Sequence, residues 1–382
     1  MAATSAPGPQ SLLGRHRLLS PTAAVRVSPL SLGGMSLGEK WAGRLGLVTK
    51  ETAFELLDTF YELGGSFIDT ANAYQGGQSE EWIGEWMEQR GRRSEMVIAT
   101  KYTLSPVTGQ PLQESNYGGN GTKSMHVSIN KSLQSLRTDY IDIYFVHAWD
   151  YSTDIPELMQ SLNHLVAQGK VLYLGISDTP AWVVSKANTY ARAHGLRPFS
   201  VYQGRYSAVC RDLERDVIPM CRDEGMAIHA WGVLGNGMFE PNSYIRSPTA
   251  DASDRVRNSP HLLSGREEKV SAVLDNVAKR HGVPITSVAL AYAMQKAPYF
   301  FPVVGGRKVE HLKANVEALS LELTPEDVKE IETGYDFDLG FPHSFLCPRG
   351  HVAGGPQDVA FSAGMGHFDY VQPTQAIRPY KG

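Results

Sequence analysis

Four side chains that can carry proton chemistry lie at or near the ends of short apolar runs in this sequence of 382 residues. Asp69, Lys101 and His147 each end such a run, and Tyr74 follows shortly after Asp69. A phenol with a pKa near ~10 is a weak acid at neutral pH, and a lysine ammonium beside it lowers that pKa. A carboxylate keeps the ammonium charged and placed, and a histidine can orient a carbonyl oxygen by donating a hydrogen bond. Each residue type alone is more often structural, but the four together suit a reaction in which a carbonyl gains a hydride and a proton.

These side chains can meet only if successive strands end at one face of the fold. The chain alternates apolar runs with amphipathic stretches, as in IDIYFVH (residues 141–147) followed by Ile155–Ala167, and VLYLGIS (residues 171–177) followed by Ala181–Ala193. Continuous apolar strands that are each followed by a helix indicate a parallel sheet buried on both faces. Eight such units predict an α/β fold, the (β/α)8 TIM barrel, whose strands all end at one mouth. An open doubly wound sheet is the competing architecture.

The two ends of the chain differ in composition from the part between them. Residues 1–14 are rich in Pro, Ser and Ala and predict a flexible N-terminal arm. Residues 15–334 carry the eight units, with a long insertion from Gly235 to about Gly265. Residues 335–382 are rich in Gly, Pro, Phe and His and predict a C-terminal extension that packs on or near the barrel mouth. Thr324 is predicted to cap a short helix before it.

Composition excludes several classes of function. The formal net charge is -4 and no long basic run stands out, so neither nucleic acid nor an anionic membrane is an expected partner. Three cysteines without CxxC spacing indicate a reducing compartment, and we expect no metal site. No signal peptide and no run of ~18 apolar residues is evident, so a cytoplasmic location is predicted. The oligomeric state is left open.

Five segments of the chain carry a family resemblance. They are GSFIDTANAYQGGQSEEWIGEW, MVIATKY, YIDIYFVHAWD, GKVLYLGISDTPAW and FFPVVGGRKVEHLKANVEALSLELT, within a region from about Leu32 to Glu332. The sequence resembles the aldo-keto reductases, and among them the fungal aryl-alcohol dehydrogenase and norsolorinic acid reductase group. The resemblance implies reduction of an aldehyde or ketone by NADP(H), or the reverse oxidation, with a role in secondary metabolism. It also implies a catalytic tetrad of Asp69, Tyr74, Lys101 and His147, in which Tyr74 is the proton donor and His147 also contacts the substrate.

The same resemblance implies a set of residues that hold the cofactor. Ser177, Asp178 and Gln203 are expected to contact the nicotinamide amide, although the family more often has Asn at the position of Asp178. Trp231 is expected to stack on the nicotinamide, with Tyr206 as the competing aromatic. Arg307 and Lys308 suit the 2′-phosphate of NADP. The remaining cofactor residues are expected in glycine-rich loops and at a helix start: Gly34, Met35, Asp69, Gly232, Val233, Leu234, Gly235, Asn236, Gly237, Gly305, His311 and Asn315.

Two positions depart from the family pattern. Ala314 stands where the family usually has Glu, and His311 stands where Arg or Gln is common. Both positions bear on the preference for NADP over NAD.

Three further points remain open at this stage. Gly34 to Gly38 matches GxSxG, the nucleophile elbow of serine hydrolases, although the segment after it is a poor helix. A member of this fold could also act as a cofactor-binding regulatory subunit without turnover. The substrate is expected to be a flat aromatic carbonyl, because the predicted mouth loops hold Tyr102, Tyr117, Trp149 and Tyr151.

Overall fold

The apolar runs form two sets of strands in the computed structural model, which describes residues 8–106, 113–239, 265–347 and 350–381. An antiparallel hairpin comes first, with β1 at Arg17–Ser20 and β2 at Ala23–Val27. The later strands are β3 (Ser31–Gly33), β4 (Phe67–Asp69), β5 (Val97–Tyr102), β6 (Ile141–Val146), β7 (Val171–Ser177), β8 (Phe199–Arg205), β9 (Ala227–Trp231) and β10 (Phe300–Val304). These eight are parallel and close into a barrel in the order β10-β3-β4-β5-β6-β7-β8-β9. The closure confirms the predicted (β/α)8 barrel and excludes the open sheet.

Helices follow the barrel strands along the chain. They are α1 (Ala42–Leu45), α2 (Lys50–Glu62), α3 (Gln78–Arg90), α4 (Thr122–Ser135), α5 (Ile155–Ala167), α6 (Ala181–Ala193), α7 (Val217–Glu224), α8 (Gly265–His281), α9 (Ile285–Lys296), α10 (Val309–Glu317), α11 (Pro325–Glu332), α12 (His343–Leu346) and α13 (Ala360–Met365). Thr324 caps α11 as predicted, because its side chain accepts a hydrogen bond from the Asp327 amide. In the described ranges, no helix combines the length and apolar character that crossing a membrane would need. Most of the predicted insertion lies outside the described residues.

The amino-terminal end of the barrel is filled and covered. Phe67 and Phe145 are fully buried in the barrel interior, where they pack in one cluster with Leu19 of the hairpin. Burying a phenylalanine side chain contributes about 1.5–3 kcal/mol. Gly175 makes room for one of them, since a Cβ there would lie 2.4 Å from the Phe145 ring. The sequence did not predict the hairpin, and its position leaves the carboxyl ends of the strands as the open face.

The C-terminal extension runs from one end of the barrel to the other. The sequence predicted packing on or near the mouth for residues 335–382. The Phe337 ring lies 4.5 Å from the guanidinium of Arg215, in the segment that follows β8 on the mouth side. Farther along, Arg378 donates a hydrogen bond of 2.9 Å to Gln295 near the end of α9. The last described residues therefore lie at the amino-terminal end of the barrel, beside the residues that precede β1.

Candidate active site

A buried ion pair lies at the base of the mouth. Lys101 is 0% exposed, and its Nζ lies 2.7 Å from Oδ1 and 2.8 Å from Oδ2 of Asp69. Nζ also donates a hydrogen bond of 2.7 Å to the carbonyl oxygen of Thr70. Burial alone would lower the pKa of Lys101, but the Asp69 carboxylate and the Tyr74 hydroxyl hold that pKa above its ordinary value. The lysine is therefore a fixed cation inside the protein.

Tyr74 opens a tight turn that places its phenol over this cation. The turn spans Tyr74–Gly77, and the next residue, Gln75, has a φ of 56°. The Nζ of Lys101 lies 5.0 Å from the centre of the Tyr74 ring. Burial raises the pKa of the Tyr74 hydroxyl, and the charge of Lys101 opposes that rise. The phenol therefore stays protonated at neutral pH, beside a cation that would stabilise the phenolate formed when it gives up its proton.

His147 faces the phenol from the end of β6, two strands away from the β4 end that Tyr74 follows. The two rings are 5.7 Å apart between centroids and inclined at 76°. Burial, with a smaller contribution from the charge of Lys101, lowers the pKa of His147 to about 3. The imidazole is therefore neutral at physiological pH, and it can donate an N–H to a carbonyl oxygen without competing with Tyr74 as an acid. The structure thus brings the four predicted catalytic residues together.

A buried amide and imidazole support Asp69 from the opposite side. Gln203 Nε2 donates a hydrogen bond of 2.7 Å to Asp69 Oδ1 and lies 2.9 Å from Nδ1 of His229. His229 is fully buried and stacks on Phe67, and burial lowers its pKa to about 4. The nitrogen of Gln203 is thus bonded within the protein, which leaves its oxygen for the predicted contact with a carboxamide. His229 was not predicted from sequence, although a histidine inside the apolar run AIHAW was the available signal.

The segment after β3 does not have the geometry of a hydrolase elbow. It forms a 3-10 turn, Gly34–Ser36, and Ser36 is only 1% exposed, whereas the elbow presents an exposed hydroxyl on a strand-to-helix turn. A Cβ at Gly34 would lie 2.8 Å from the hydroxyl oxygen of Ser79, so the backbone here packs directly against α3. Gly34 nevertheless lies beside the backbone of Asp69, and Met35 follows it in the loop where the cofactor contact is predicted.

Gln75 ties this first loop to the turn that carries Tyr74. Its Nε2 donates a hydrogen bond of 3.0 Å to the carbonyl oxygen of Met35, and its Oε1 accepts one of 2.6 Å from the Trp41 amide. Gln75 is fully buried, so both bonds are shielded from water. They hold the Trp41 ring 6.3 Å from that of Tyr74. Neither residue was predicted, because no sequence pattern pairs a loop tryptophan with a glutamine beyond the next strand.

Asn120 fastens two other loops at the mouth. The Asn120 backbone N–H donates a hydrogen bond of 2.7 Å to Asp150 Oδ2, and the Asp150 backbone N–H donates one of 2.8 Å to Asn120 Oδ1. Asn120 Nδ2 donates a hydrogen bond of 2.8 Å to Thr103 Oγ1. Tyr102 donates its hydroxyl to the Asn120 carbonyl and is 0% exposed. The expectation that Tyr102 lines the substrate pocket is therefore wrong, since its ring stacks on Tyr144 in the core.

Three of the predicted nicotinamide contacts lie at the ends of β7 and β9, on either side of β8. Ser177 ends β7, and Asp178 follows it with a φ of 41°. Left-handed backbone of this kind favours Asn and Asp among non-glycine residues, so Asp can replace the Asn that is more common in the family. The indole Nε1 of Trp231 lies 3.4 Å from Asp178 Oδ1, which brings the ring of Trp231 beside this turn.

The competing aromatic, Tyr206, is unavailable to a ligand. It is 0% exposed, its hydroxyl donates a hydrogen bond of 2.7 Å to Glu214, and its ring packs edge-on against Phe300. Trp231, by contrast, is partly exposed at the end of β9. Of the two aromatic residues considered, only Trp231 could stack on a planar group at the mouth.

The loop after β9 has a backbone that few residues can adopt. Gly232, Gly235 and Gly237 have φ values of 74°, 64° and 90°, and Asn236 has a φ of 54°. Successive left-handed residues turn backbone N–H groups toward one side, which is a common way to hold an anion. Val233 is buried beneath this loop and Leu234 is partly buried, so the segment Gly232–Gly237 fits the predicted pyrophosphate contact.

The predicted contacts to the adenosine end lie around the start of α10. Lys308 is the N-cap residue and makes no side-chain capping bond, so the first N–H groups of the helix are not capped by its side chain. Arg307, just after Gly305, packs directly over Gly46 of the first loop. His311 is exposed and Asn315 is buried. Backbone donors and two cations at one helix end suit a phosphate.

The chain matches known proteins over nearly its whole length. A sequence model of the aldo/keto reductase family matches residues 29–336. An aryl-alcohol dehydrogenase of Pestalotiopsis microspora is 67% identical over 374 residues, covering 98% of this chain and 96% of that protein. A norsolorinic acid reductase of Aspergillus flavus is 53% identical over 347 residues, covering 91% and 87% of the two chains. An NADP(+) aryl-alcohol dehydrogenase of Phanerodontia chrysosporium is 50% identical over 386 residues, covering 98% of each. The chain therefore belongs to the aldo/keto reductase family.

Proposed function

We propose that the protein is an NADP(H)-dependent reductase of aromatic aldehydes or ketones, which also catalyses the reverse oxidation of the alcohol. The observation that carries this proposal is the fully buried Lys101 ammonium, held between Asp69 and the phenol of Tyr74. Such a cation has no need to be buried for stability alone, since desolvating an ion pair usually offsets most of its attraction. Beside a phenol, the ammonium has a chemical role, because it stabilises the phenolate and so favours donation of the phenol's proton.

In this proposal the substrate carbonyl lies between Tyr74 and His147. The neutral imidazole donates a hydrogen bond that fixes the carbonyl oxygen, and the Tyr74 hydroxyl gives its proton to that oxygen as negative charge develops there. Lys101 stabilises the resulting phenolate, and Asp69 with Gln203 holds Lys101 in place. In the oxidation direction the same groups act in reverse, with the phenolate of Tyr74 as the base.

The residues around the mouth fit a dinucleotide. Ser177, Asp178, Gln203 and Trp231 would hold the nicotinamide end, the segment Gly232–Gly237 the pyrophosphate, and Arg307 with Lys308 the 2′-phosphate. When bound, the nicotinamide supplies or accepts the hydride. The chain positions it and keeps water from the reacting carbonyl.

The substrate class follows from the aromatic side chains that remain at the mouth. Trp41 lies edge-on to Tyr74, and Trp149 is partly buried with its ring 6.5 Å from that of Tyr151. An indole ring close to the proton donor and a second one in the loop after β6 favour an aryl aldehyde or a polyketide-derived aromatic ketone. We place the reaction in secondary metabolism, in line with the norsolorinic acid reductases among its relatives.

A turnover assay tests the proposal. Mixing the protein with NADPH and an aryl aldehyde should give a steady loss of NADPH absorbance and one alcohol per NADPH consumed. The competing function is a regulatory subunit that binds the cofactor without turnover. Two observations together would favour that alternative and contradict the proposal. They are tight NADPH binding, seen as a shift in fluorescence, and no NADPH consumption with any of a panel of aryl aldehydes and ketones.

Arg307 gives a second test, on cofactor choice. Arg307→Ala should weaken NADPH binding by about 10- to 100-fold and change NADH binding little, because a charge-assisted hydrogen bond contributes about 1.5–3 kcal/mol and only NADPH has a 2′-phosphate. Titration with both cofactors measures the difference. Lys313→Ala, an exposed cation on α10, is the matched control and should bind both as the parent does. An equal loss for the two cofactors would assign Arg307 to the pyrophosphate or to the packing over Gly46.

A further inference from the structure

The amino-terminal end of the barrel carries a cavity, remote from the mouth. It has a volume of 690 Å³ and lies between the segment that leads into β1 and the last described residues of the chain. Five of its lining residues carry or can carry positive charge: Arg15, His16, Arg17, Arg378 and Lys381. Among the described residues that line it there is no Asp or Glu. The cavity is therefore strongly electropositive.

Part of this charge is already satisfied. The Nε2 of His16 lies 2.8 Å from the carbonyl oxygen of Gly64, and Lys381 pairs with Glu322 at 2.6 Å, just outside the cavity. Arg378 gives one N–H to the neutral amide of Gln295, and Glu322 is close enough to feel its charge. These three cations have partners that belong to the chain.

Arg15 and Arg17 are not balanced in this way. The guanidinium of Arg15 lies flat over the Tyr380 ring, 3.4 Å from its centre, and forms no ion pair with any residue that the structure describes. Arg17 is partly buried, and within the described ranges its guanidinium has neither a hydrogen-bond acceptor nor a carboxylate. Burial lowers the pKa of Arg17 to about 10, and no acidic neighbour opposes that shift. Buried charges in proteins are normally paired, so this partly buried arginine is a candidate ligand for an anion.

We propose that this cavity binds an organic phosphate, with Arg15 and Arg17 as its principal ligands. Guanidinium groups match phosphate oxygens in pairs, and two neighbouring guanidinium groups without a carboxylate partner favour a multiply charged group over a single carboxylate. Leu12, Leu319 and Ile377 supply apolar wall for the organic part of the ligand. Because the site is built from both terminal segments, the bound phosphate also fastens them together and stabilises the folded chain.

Inorganic pyrophosphate is a suitable probe, since it carries the charge without the organic part. Calorimetric titration of the parent, with NADP⁺ filling the proposed cofactor site, should give a single pyrophosphate site, and the Arg15→Gln/Arg17→Gln variant should bind pyrophosphate at least tenfold more weakly. Arg26→Gln, on the strand paired with β1 but outside the cavity, is the matched control and should bind as the parent does. Arg307→Ala, at the mouth, should also leave this affinity unchanged, which separates the cavity from the proposed cofactor site.

Thermal melting provides a second measurement that does not depend on the affinity being high. Without added anion, Arg17→Gln should melt no earlier than the parent, because the variant removes a partly buried charge that has no partner. Pyrophosphate should raise the Tm of the parent but not that of Arg15→Gln/Arg17→Gln, at matched ionic strength set with sodium chloride. Any of three results would overturn the proposal. They are equal pyrophosphate binding by the parent and the double variant, loss of pyrophosphate binding in Arg307→Ala alone, and a Tm rise that sodium chloride reproduces.

Discussion

Tyr74→Phe should lower kcat for carbonyl reduction by about 100-fold or more, with little change in NADPH affinity. Donation of a proton by a positioned side chain is typically worth about 10²–10⁴-fold in rate. The substitution removes only the hydroxyl, and the ring contacts with Trp41 and His147 can remain. Steady-state kinetics beside a cofactor titration separates the rate from the affinity.

The control for this variant is a tyrosine with no access to the mouth. Tyr190 lies on α6 and its hydroxyl accepts a hydrogen bond from Gln160 at the surface, so Tyr190→Phe should keep the parent's kcat. If Tyr74→Phe instead retained near-normal turnover while binding NADPH, the proton would have to come from another group, and the role assigned to Tyr74 would be abandoned.

The barrel could be predicted from sequence because each strand is a continuous apolar run and each is followed by a helix. IDIYFVH is fully buried as β6 up to Val146, and His147 emerges at its carboxyl end. The same regularity placed Asp69, Lys101 and His147 at one face, because parallel strands of a barrel all end there. The hairpin β1–β2 escaped prediction, since two short strands joined by Pro21 and Thr22 carry little periodic signal.

Parts of the site depend on contacts between residues distant in sequence. Gln75 bonds the loop after β3, and His229 lies beside both Gln203 and Asp69, which come from strands far apart along the chain. No spacing rule predicts such pairs. Tyr102 illustrates the opposite error: an aromatic residue beside Lys101 looks available for a ligand, but the alternation of side chains along β5 turns it into the core.

Lys101→Met should abolish most reduction at neutral pH while the protein remains folded enough to bind NADPH. Without the ammonium, nothing opposes the burial that raises the pKa of Tyr74, so the phenol becomes a weaker acid. Oxidation of the alcohol needs the phenolate, and its rate rises as pH passes through that pKa. The pH profile of oxidation in Lys101→Met should therefore move to higher pH than that of the parent.

A purely structural lysine would give a different result, and a second variant distinguishes the two. Lys101→Met leaves the Asp69 carboxylate buried without its cation, which costs about 3–5 kcal/mol of stability in comparable cases. Asp69→Asn/Lys101→Met removes both charges and keeps an oxygen that can accept from Gln203, so most of that stability should return in a melting curve. If Lys101 only holds the fold together, the double variant regains its activity with its stability. If Lys101 lowers the cost of removing the proton from Tyr74, the double variant is stable and still fails to reduce aryl aldehydes at neutral pH, and this second result is the one we expect.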